Sequence, residues 1–213
     1  MLIEFVGLPG AGKTSLIEAT RSQLGLRGLS ARAEPIGLFD RREALRALLF
    51  ALVRPRLSVR LIRSLRTRRS VVLAGSLLRR ERIAVRLSKG RGCTLVDEGP
   101  LHAIAMFAMA GAHDAIAVVN AVTMPAVAVM VVIEPRLAAA RTRLRYERGE
   151  TNRLTSVWTH EELERFEKHV NEMLPYLRCP ILRTDGSVDV DVQASDLAER
   201  LIALPELTES VDR

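Results

Sequence analysis

Near the start of the chain, Gly7-Leu8-Pro9-Gly10-Ala11-Gly12-Lys13-Thr14 fits the spacing G-x-x-x-x-G-K-[S/T]. That spacing is built for polyphosphate. Glycines let the backbone wrap around a phosphate so that successive N–H groups point inward. A helix starting at the lysine adds the positive partial charge of its N-terminus. Lys13 then reaches the β- and γ-phosphates, and the Thr14 hydroxyl ligates Mg²⁺. Gly7, Pro9, Gly10, Ala11 and Gly12 shape the cradle, and Ser15 can add a hydrogen bond to the α-phosphate. MgATP is therefore the expected ligand. The reaction stays open, because GTPases, motor ATPases and small-molecule kinases all use such a loop. No guanine-reading Asn-Lys-x-Asp run and no Leu-Ser-Gly-Gly-Gln run is present.

A second chemical point is Cys93-Thr94-Leu95-Val96-Asp97-Glu98, an apolar run ending in two carboxylates. Placed beside the loop at the carboxyl edge of a parallel sheet, Asp97 can hold the Mg²⁺ shell or accept a proton from an incoming hydroxyl. Glu98 either orients a water, as in a hydrolytic machine, or hydrogen-bonds an acceptor. A third point is the arginine cluster Arg136, Arg141, Arg143, Arg145, Arg148 and Arg153. Arg141, Arg145 and Arg148 share one helical face. Arginines closing over a transferring phosphoryl group supply charge and exclude water. His102, His113, His160 and His169 show no metal-binding spacing and read as structural or surface residues. Trp158 and Tyr146 lie near the arginine segment, where packing is the expected role.

These residues need a frame. Apolar runs are expected as strands at Leu2–Val6, Cys93–Val96, Ala126–Ile133 and Pro180–Thr184, and Ser30–Glu34, ended by Pro35, can be a further strand. Helical stretches are expected between them at 15–24, 41–53, 57–65, 71–87, 101–110, 136–148, 161–177 and 194–204. Strands alternating with helices imply a parallel sheet covered on both faces. Ala115 to Ile133 carries no charge over 19 residues, but Asn120, Thr123 and Pro125 interrupt it. An apolar helix followed by a buried strand explains it better than a membrane span.

The composition sets limits. With 213 residues, 48% apolar, 27% charged and 4% aromatic, the chain suits one globular α/β domain over 1–213. So few aromatics argue against a stacking platform for single-stranded nucleic acid. Cys93 and Cys179 make neither a metal pair nor a disulfide framework. No targeting segment is visible, so a reduced, cytoplasmic setting without a membrane partner is expected. The basic excess is local. Arg41 to Arg91 holds sixteen basic residues against Glu43 and Glu81, a net +14 in a chain of +7 overall. Such a field attracts phosphates, nucleotides, nucleic acid or acidic lipid headgroups.

Together these pieces resemble the P-loop nucleoside and nucleotide kinases, most closely the thymidylate-kinase-like branch. Ala33-Glu34-Pro35 is similar to that branch's acceptor-side Arg-Glu-Pro element, with Ala33 in place of the arginine. Arg79-Arg80-Glu81-Arg82 lies where the family has an arginine helix facing the acceptor. Val132-Ile133-Glu134-Pro135 through Arg145 resembles its strand, turn and lid, and Thr184-Asp185-Gly186 resembles its adenine-side loop. The resemblance implies a P-loop NTPase three-layer sandwich with a five-stranded parallel sheet of order 2-3-1-4-5. It also implies MgATP as donor, a basic helical acceptor-side region at 36–91 and a lid at 136–160. In the lid it places Arg141, Arg145, Arg148 and Arg153. It implies that Glu34, Arg79, Arg80, Arg82, Glu98 and Arg153 face the acceptor and that Asp185 lies by the adenine. One departure stands out: the family follows its third strand with Asp-Arg or Glu-Arg, and here Asp97-Glu98-Gly99-Pro100 stands instead. An acid replaces the arginine that meets the acceptor. That favours a neutral or hydroxyl-rich acceptor, while the basic segment favours an anionic one.

The expected function is phosphoryl transfer from MgATP to a nucleoside, nucleotide or nucleoside-like metabolite. Catalysis would fall to Lys13, Asp97 and the lid arginines. The alternative is a nucleic-acid-associated ATPase or a polynucleotide 5′-hydroxyl kinase, with Asp97-Glu98 and the basic segment as its working parts. A regulatory nucleotide binder is a third reading. A homodimer is compatible with the apolar Leu101 to Val122 stretch, whose one acid is Asp114.

Overall fold

The computed structural model describes residues 1–34, 41–90, 92–112, 115–150 and 158–205, with backbone alone for 41–44. Five strands form one parallel sheet in the order β2-β3-β1-β4-β5. They are β1 (Leu2–Gly7), β2 (Ala31–Glu34), β3 (Cys93–Asp97), β4 (Val127–Val132) and β5 (Ile181–Asp185). This is the expected order. It is the order that the family resemblance implies; β4 reads as a continuous apolar run, while β1, buried throughout, carries Glu4 among its apolar residues.

The strand registers place the chemistry. Phe5 pairs with Asp97 and Gly7 with Val131, so β3 ends beside the loop that leaves β1. Glu34 pairs with Val96 and Asp185 with Val132 at the same edge. The helices among the described residues are α1 (Lys13–Leu26), α2 (Arg41–Val53), α3 (Pro55–Ser64), α4 (Arg68–Ser88), α5 (Pro100–Met109), α6 (Ala115–Val119), α7 (Pro135–Glu147), α8 (His160–Met173) and α9 (Val190–Ile202). Helices α1 and α9 pack on each other, while α4, α5 and α8 form a second layer. Phe5, Leu95, Ile104, Phe107 and Phe166 are fully buried between the layers. A buried side chain of that size contributes roughly 1.5–3 kcal/mol through apolar transfer.

Local signals set the helix ends. Thr67 caps α4 by accepting the Ser70 N–H at 3.0 Å, and Thr159 caps α8 by accepting that of Glu162 at 3.2 Å. Pro175 halts the expected 161–177 helix, which tightens into a 3-10 turn at Leu174–Tyr176. The uncharged 115–133 stretch is the short helix α6 and then β4. Among the described residues no helix is long and apolar enough to cross a membrane. Both cysteines are free.

The basic helices are fastened by a buried acid. Glu81 in α4 has no exposure; it accepts from Arg54 at 2.5 Å and from the Thr123 backbone and hydroxyl at 2.8 Å. One carboxylate thus joins α4 to the α2–α3 junction and to the segment before β4. Desolvation raises the Glu81 pKa, and these partners oppose that shift.

Candidate active site

The loop between β1 and α1 is shaped by residues that L side chains could not replace. Gly10 and Gly12 have φ of 85° and 84°. A Cβ on Gly10 would also lie 2.6 Å from the Ala138 carbonyl oxygen, so α7 is seated directly on the loop. Gly12 caps α1 without a side-chain bond, so the first N–H groups of that helix are left to a ligand.

Lys13 donates to the carbonyls of Gly7 and Leu8, both at 3.1 Å, and its Nζ stands 4.0 Å from Asp97 Oδ1. Thr14 donates its hydroxyl to Asp97 Oδ2 at 2.7 Å. Asp97 Oδ1 is buried and has no hydrogen-bond partner among the described residues. A hydroxyl beside a carboxylate with a spare oxygen is the hard-oxygen corner that Mg²⁺ takes when phosphates and water complete its shell. Thr14 and Asp97 therefore fit the ion. Among the described residues no cluster of three or more His, Cys, Asp or Glu could hold a metal without a ligand's help.

Beyond Asp97 the chain turns sharply. Glu98 has φ of 56°, in the left-handed region, at a cost of about 1 kcal/mol. Arg80 from α4 secures the turn by donating to the Glu98 carbonyl oxygen and, at 3.1 Å, to its carboxylate. The Glu98 carboxyl is held down to about 2, with His102 the largest influence and Arg80 and Lys13 behind it. Burial pushes the His102 imidazole down to about 3, so near neutral pH it carries no charge. There, the attraction acting on Glu98 comes from Arg80 and Lys13. His102 Nδ1 has no hydrogen-bond partner among the described residues. Its ring packs on Phe166 at 5.1 Å, and Trp158 meets the same phenyl ring edge-on at 5.8 Å.

Behind this turn lies Glu4, wholly buried in β1. Its Oε1 accepts the His102 backbone N–H at 3.1 Å, and Oε2 is unpartnered among the described residues. Burial pushes this carboxyl up to about 8, against the pull of that N–H and of Arg80.

A cavity of about 880 Å³ opens over these groups. Of the residues singled out from sequence, it brings together Pro9, Gly10, Gly12, Lys13, Thr14, Ser15, Arg80, Asp97, Glu98, Arg141, Arg145 and Arg148. Arg141 also donates to the Gly186 carbonyl at 2.9 Å, and Arg145 lies 3.5 Å from Glu150. Other candidates stand off the cavity wall. Gly7 is pressed against the Val131 carbonyl, and Ala11 is buried behind the loop. Glu34 accepts from Arg86 at 3.1 Å on the exposed edge of β2. Arg79 is buried, with 7% exposure, and Arg82 does not line the cavity. Asp185 accepts from the backbone and hydroxyl of Ser187 at 2.9 and 2.7 Å, and both bonds lower its pKa. Arg153 lies outside the described residues.

Residues not predicted for the site complete the wall. Leu73 and Ser76 come from α4, His102, Ala103 and Met106 from α5, and Trp158 from the residue just before the Thr159 cap of α8. His102 and Trp158, expected in packing roles, do pack, and both also face the cavity. A helix beginning directly after Asp97-Glu98 was the available signal for the α5 residues.

No family model matches the chain, and no curated protein matches it. Solved structures do. A deoxyadenosine kinase from M. mycoides with the products dCMP and a flexible dCDP bound superposes with a TM-score of 0.60 at 13% identity, covering 96% of this chain and all of that one. The same kinase with bound dATP gives 0.59 at 15% identity, over 95% of this chain and all of that one. With dCTP it gives 0.55 at 14% identity, over 96% and all. The chain thus has the fold of the P-loop nucleoside kinases.

Proposed function

We propose that this protein, built on the P-loop kinase fold, is an ATP-dependent phosphotransferase that phosphorylates an uncharged, hydroxyl-bearing acceptor of nucleoside type. The observation that carries the reading is the composition of the cavity wall opposite the loop. Arg80 is the one described basic residue of the 41–91 segment that lines the cavity, and it is paired with Glu98. Next to this pair stand a neutral imidazole, the Ser76 hydroxyl and an apolar floor of Leu73, Ala103 and Met106. Such a wall suits a polar, neutral compound with a flat or apolar part. It offers little to a second phosphate, so a thymidylate-like acceptor is the poorer fit.

The residues divide the work. The loop N–H groups and α1 hold the donor phosphates. Lys13 moves from the Gly7 and Leu8 carbonyls to the phosphates it neutralises. Thr14 and Asp97 would hold Mg²⁺, which when bound neutralises charge between the β- and γ-phosphates. Arg141, Arg145 and Arg148 face the loop across the cavity and stabilise charge on the transferring group. Glu98, held near pKa 2, accepts a hydrogen bond from the acceptor rather than taking its proton. The acceptor's proton leaves late in the transfer, to an oxygen of the transferred phosphoryl group or to water. The finer likeness to the thymidylate-kinase branch enters through Glu34-Pro35 and the lid arginines. The dATP bound by the M. mycoides kinase supports an adenine nucleotide at this kind of cavity.

ADP release from MgATP, measured against nucleosides, nucleotides, hydroxylated metabolites and short nucleic acids, tests the reading. Release that depends on a neutral small acceptor and is lost in Asp97→Asn supports it. Release without any acceptor, or only with nucleic acid, sinks it.

A further inference from the structure

Among the described side chains of the arginine-rich segment only Arg80 lines the cavity, so the charge exposed on α3 and at the start of α4 calls for another partner. Arg54 and Arg60 turn inward, onto Glu81 and the Ala117 carbonyl. Arg56, Arg63, Arg66, Arg68 and Arg69 are exposed. Between residues 45 and 90 the only acid is Glu81, and it is buried. Among the described residues no carboxylate pairs with these five arginines.

The same helices expose the wrong side chains for contact with water. In α2 the residues turned inward are Ala47, Phe50 and Ala51. Leu45, Leu48, Leu49 and Leu52, spaced i, i+3, i+4 and i+7, are between 57% and 77% exposed. That is an unbroken apolar stripe on the outside of a helix. In α3, which follows after Arg54, Leu57 and Leu61 are buried while Ile62 is 67% exposed. Contiguous exposed leucines on a soluble protein mark a binding face.

We infer that α2 and α3 form a docking surface for an anionic lipid bilayer. The leucines enter the boundary between headgroups and acyl chains, and the arginines hold lipid phosphates. Each half of the surface needs the other. Nucleic acid would satisfy the arginines but leave the leucine stripe in water. A second copy would cover the leucines but bring an identical, unbalanced arginine field against the first. The expectation of no membrane partner rested on the lack of a spanning segment, which a helix lying in the interface does not need. Because α2 packs on α4, which supplies Leu73, Ser76 and Arg80 to the cavity, the bilayer would lie on the acceptor side of the molecule. The inference does not depend on the identity of the acceptor.

Cosedimentation of the full chain with vesicles tests it, using phosphatidylcholine alone and phosphatidylcholine with a third replaced by phosphatidylglycerol. Binding is expected only with the anionic lipid and should weaken as salt rises. The double variant Leu48→Asp/Leu52→Asp should bind about 10-fold more weakly or worse. Both positions are exposed, so its circular dichroism and melting should match the parent. Arg56→Gln/Arg63→Gln should lose about 25-fold, each arginine being worth about five-fold at such a surface. Wild-type protein that stays in the supernatant overturns the inference. So does undiminished binding by the aspartate variant, which would mean a purely electrostatic grip such as nucleic acid uses. A dimer seen by light scattering, dissociated by the aspartate variant and indifferent to vesicles, overturns it in favour of a second copy.

Discussion

At the residue scale the site turns on Asp97, which meets Thr14 through one oxygen and Lys13 through the other. Asp97→Asn should lower kcat about 10²–10³-fold with a much smaller change in MgATP affinity, as single-turnover and binding measurements would separate. Lys13→Ala should cost at least as much. Glu4 makes a different prediction. Its carboxyl is pushed from 4.5 to about 8, so the neutral form favours the fold. That stabilisation is whole below pH 4.5 and is lost as pH climbs towards 8 and past it. Stability should therefore fall over that window by on the order of a few kcal/mol, seen as a declining melting temperature. Glu4→Gln should flatten the decline, and an unchanged slope in the variant would refute the assignment. His102 acts on the acid limb. Its imidazole is neutral in the fold down to about pH 3, so stability is lost as pH falls below 6.5 and the unfolded chain gains a proton.

Legibility differed sharply between these residues. Lys13 and Thr14 could be read because the loop chemistry is local, with every ligand within eight residues. Asp97 was legible as the polar end of an apolar run. Glu4 was not, because a single acid inside a short strand gives no periodic signal. Its meaning comes from Gly99 and His102, almost a hundred residues away.

At the element scale, helical phase decided what composition could not. Arg79, Arg80 and Arg82 lie within little more than one turn, so they point in different directions around α4. Only Arg80 reaches the cavity wall. The same phase sends Glu81 inward, where it binds Arg54 and Thr123. Glu81→Ala should destabilise the protein by about 2–3 kcal/mol, at the low end for a buried pair because Arg54 retains some water. Denaturant unfolding would read the loss, and a change below about 0.5 kcal/mol would mean that the network does not hold these helices together. The parallel sheet was readable from the alternation of strands and helices, and its strand order from the family resemblance. The outward face of α2 was not, since a helix apolar on nearly every side reads the same whichever face is buried.

At the scale of the whole molecule, the loop, the β3 turn and α7 come from segments far apart in sequence but share one cavity. A ligand that binds all three should stabilise the fold as a unit. MgATP at 100 times its Kd should add about 2.7 kcal/mol, seen as a rise in melting temperature with ligand concentration. Thr14→Val should remove most of the Mg²⁺-dependent part of that rise while leaving the unliganded protein folded. An equal rise in the variant would place the ion elsewhere.

The seat of α7 has a mechanical consequence. Ala138 is pinned over Gly10, and Arg141 is tied to the Gly186 carbonyl, so the start of this helix is fixed to the sheet edge. Its far end carries Arg145, exposed along most of its length, and Arg148. The helix is a lever clamped near one end. From residue 138 to 148 it extends about 15 Å, so a tilt of about 10° at the clamp swings the tip by about 3 Å. A movement that small is enough to bring a guanidinium from solvent-separated to direct contact with a phosphate. Cutting the tether with Arg141→Ala should loosen the whole lever, so that hydrogen exchange along 142–147 quickens even though no residue there has been changed.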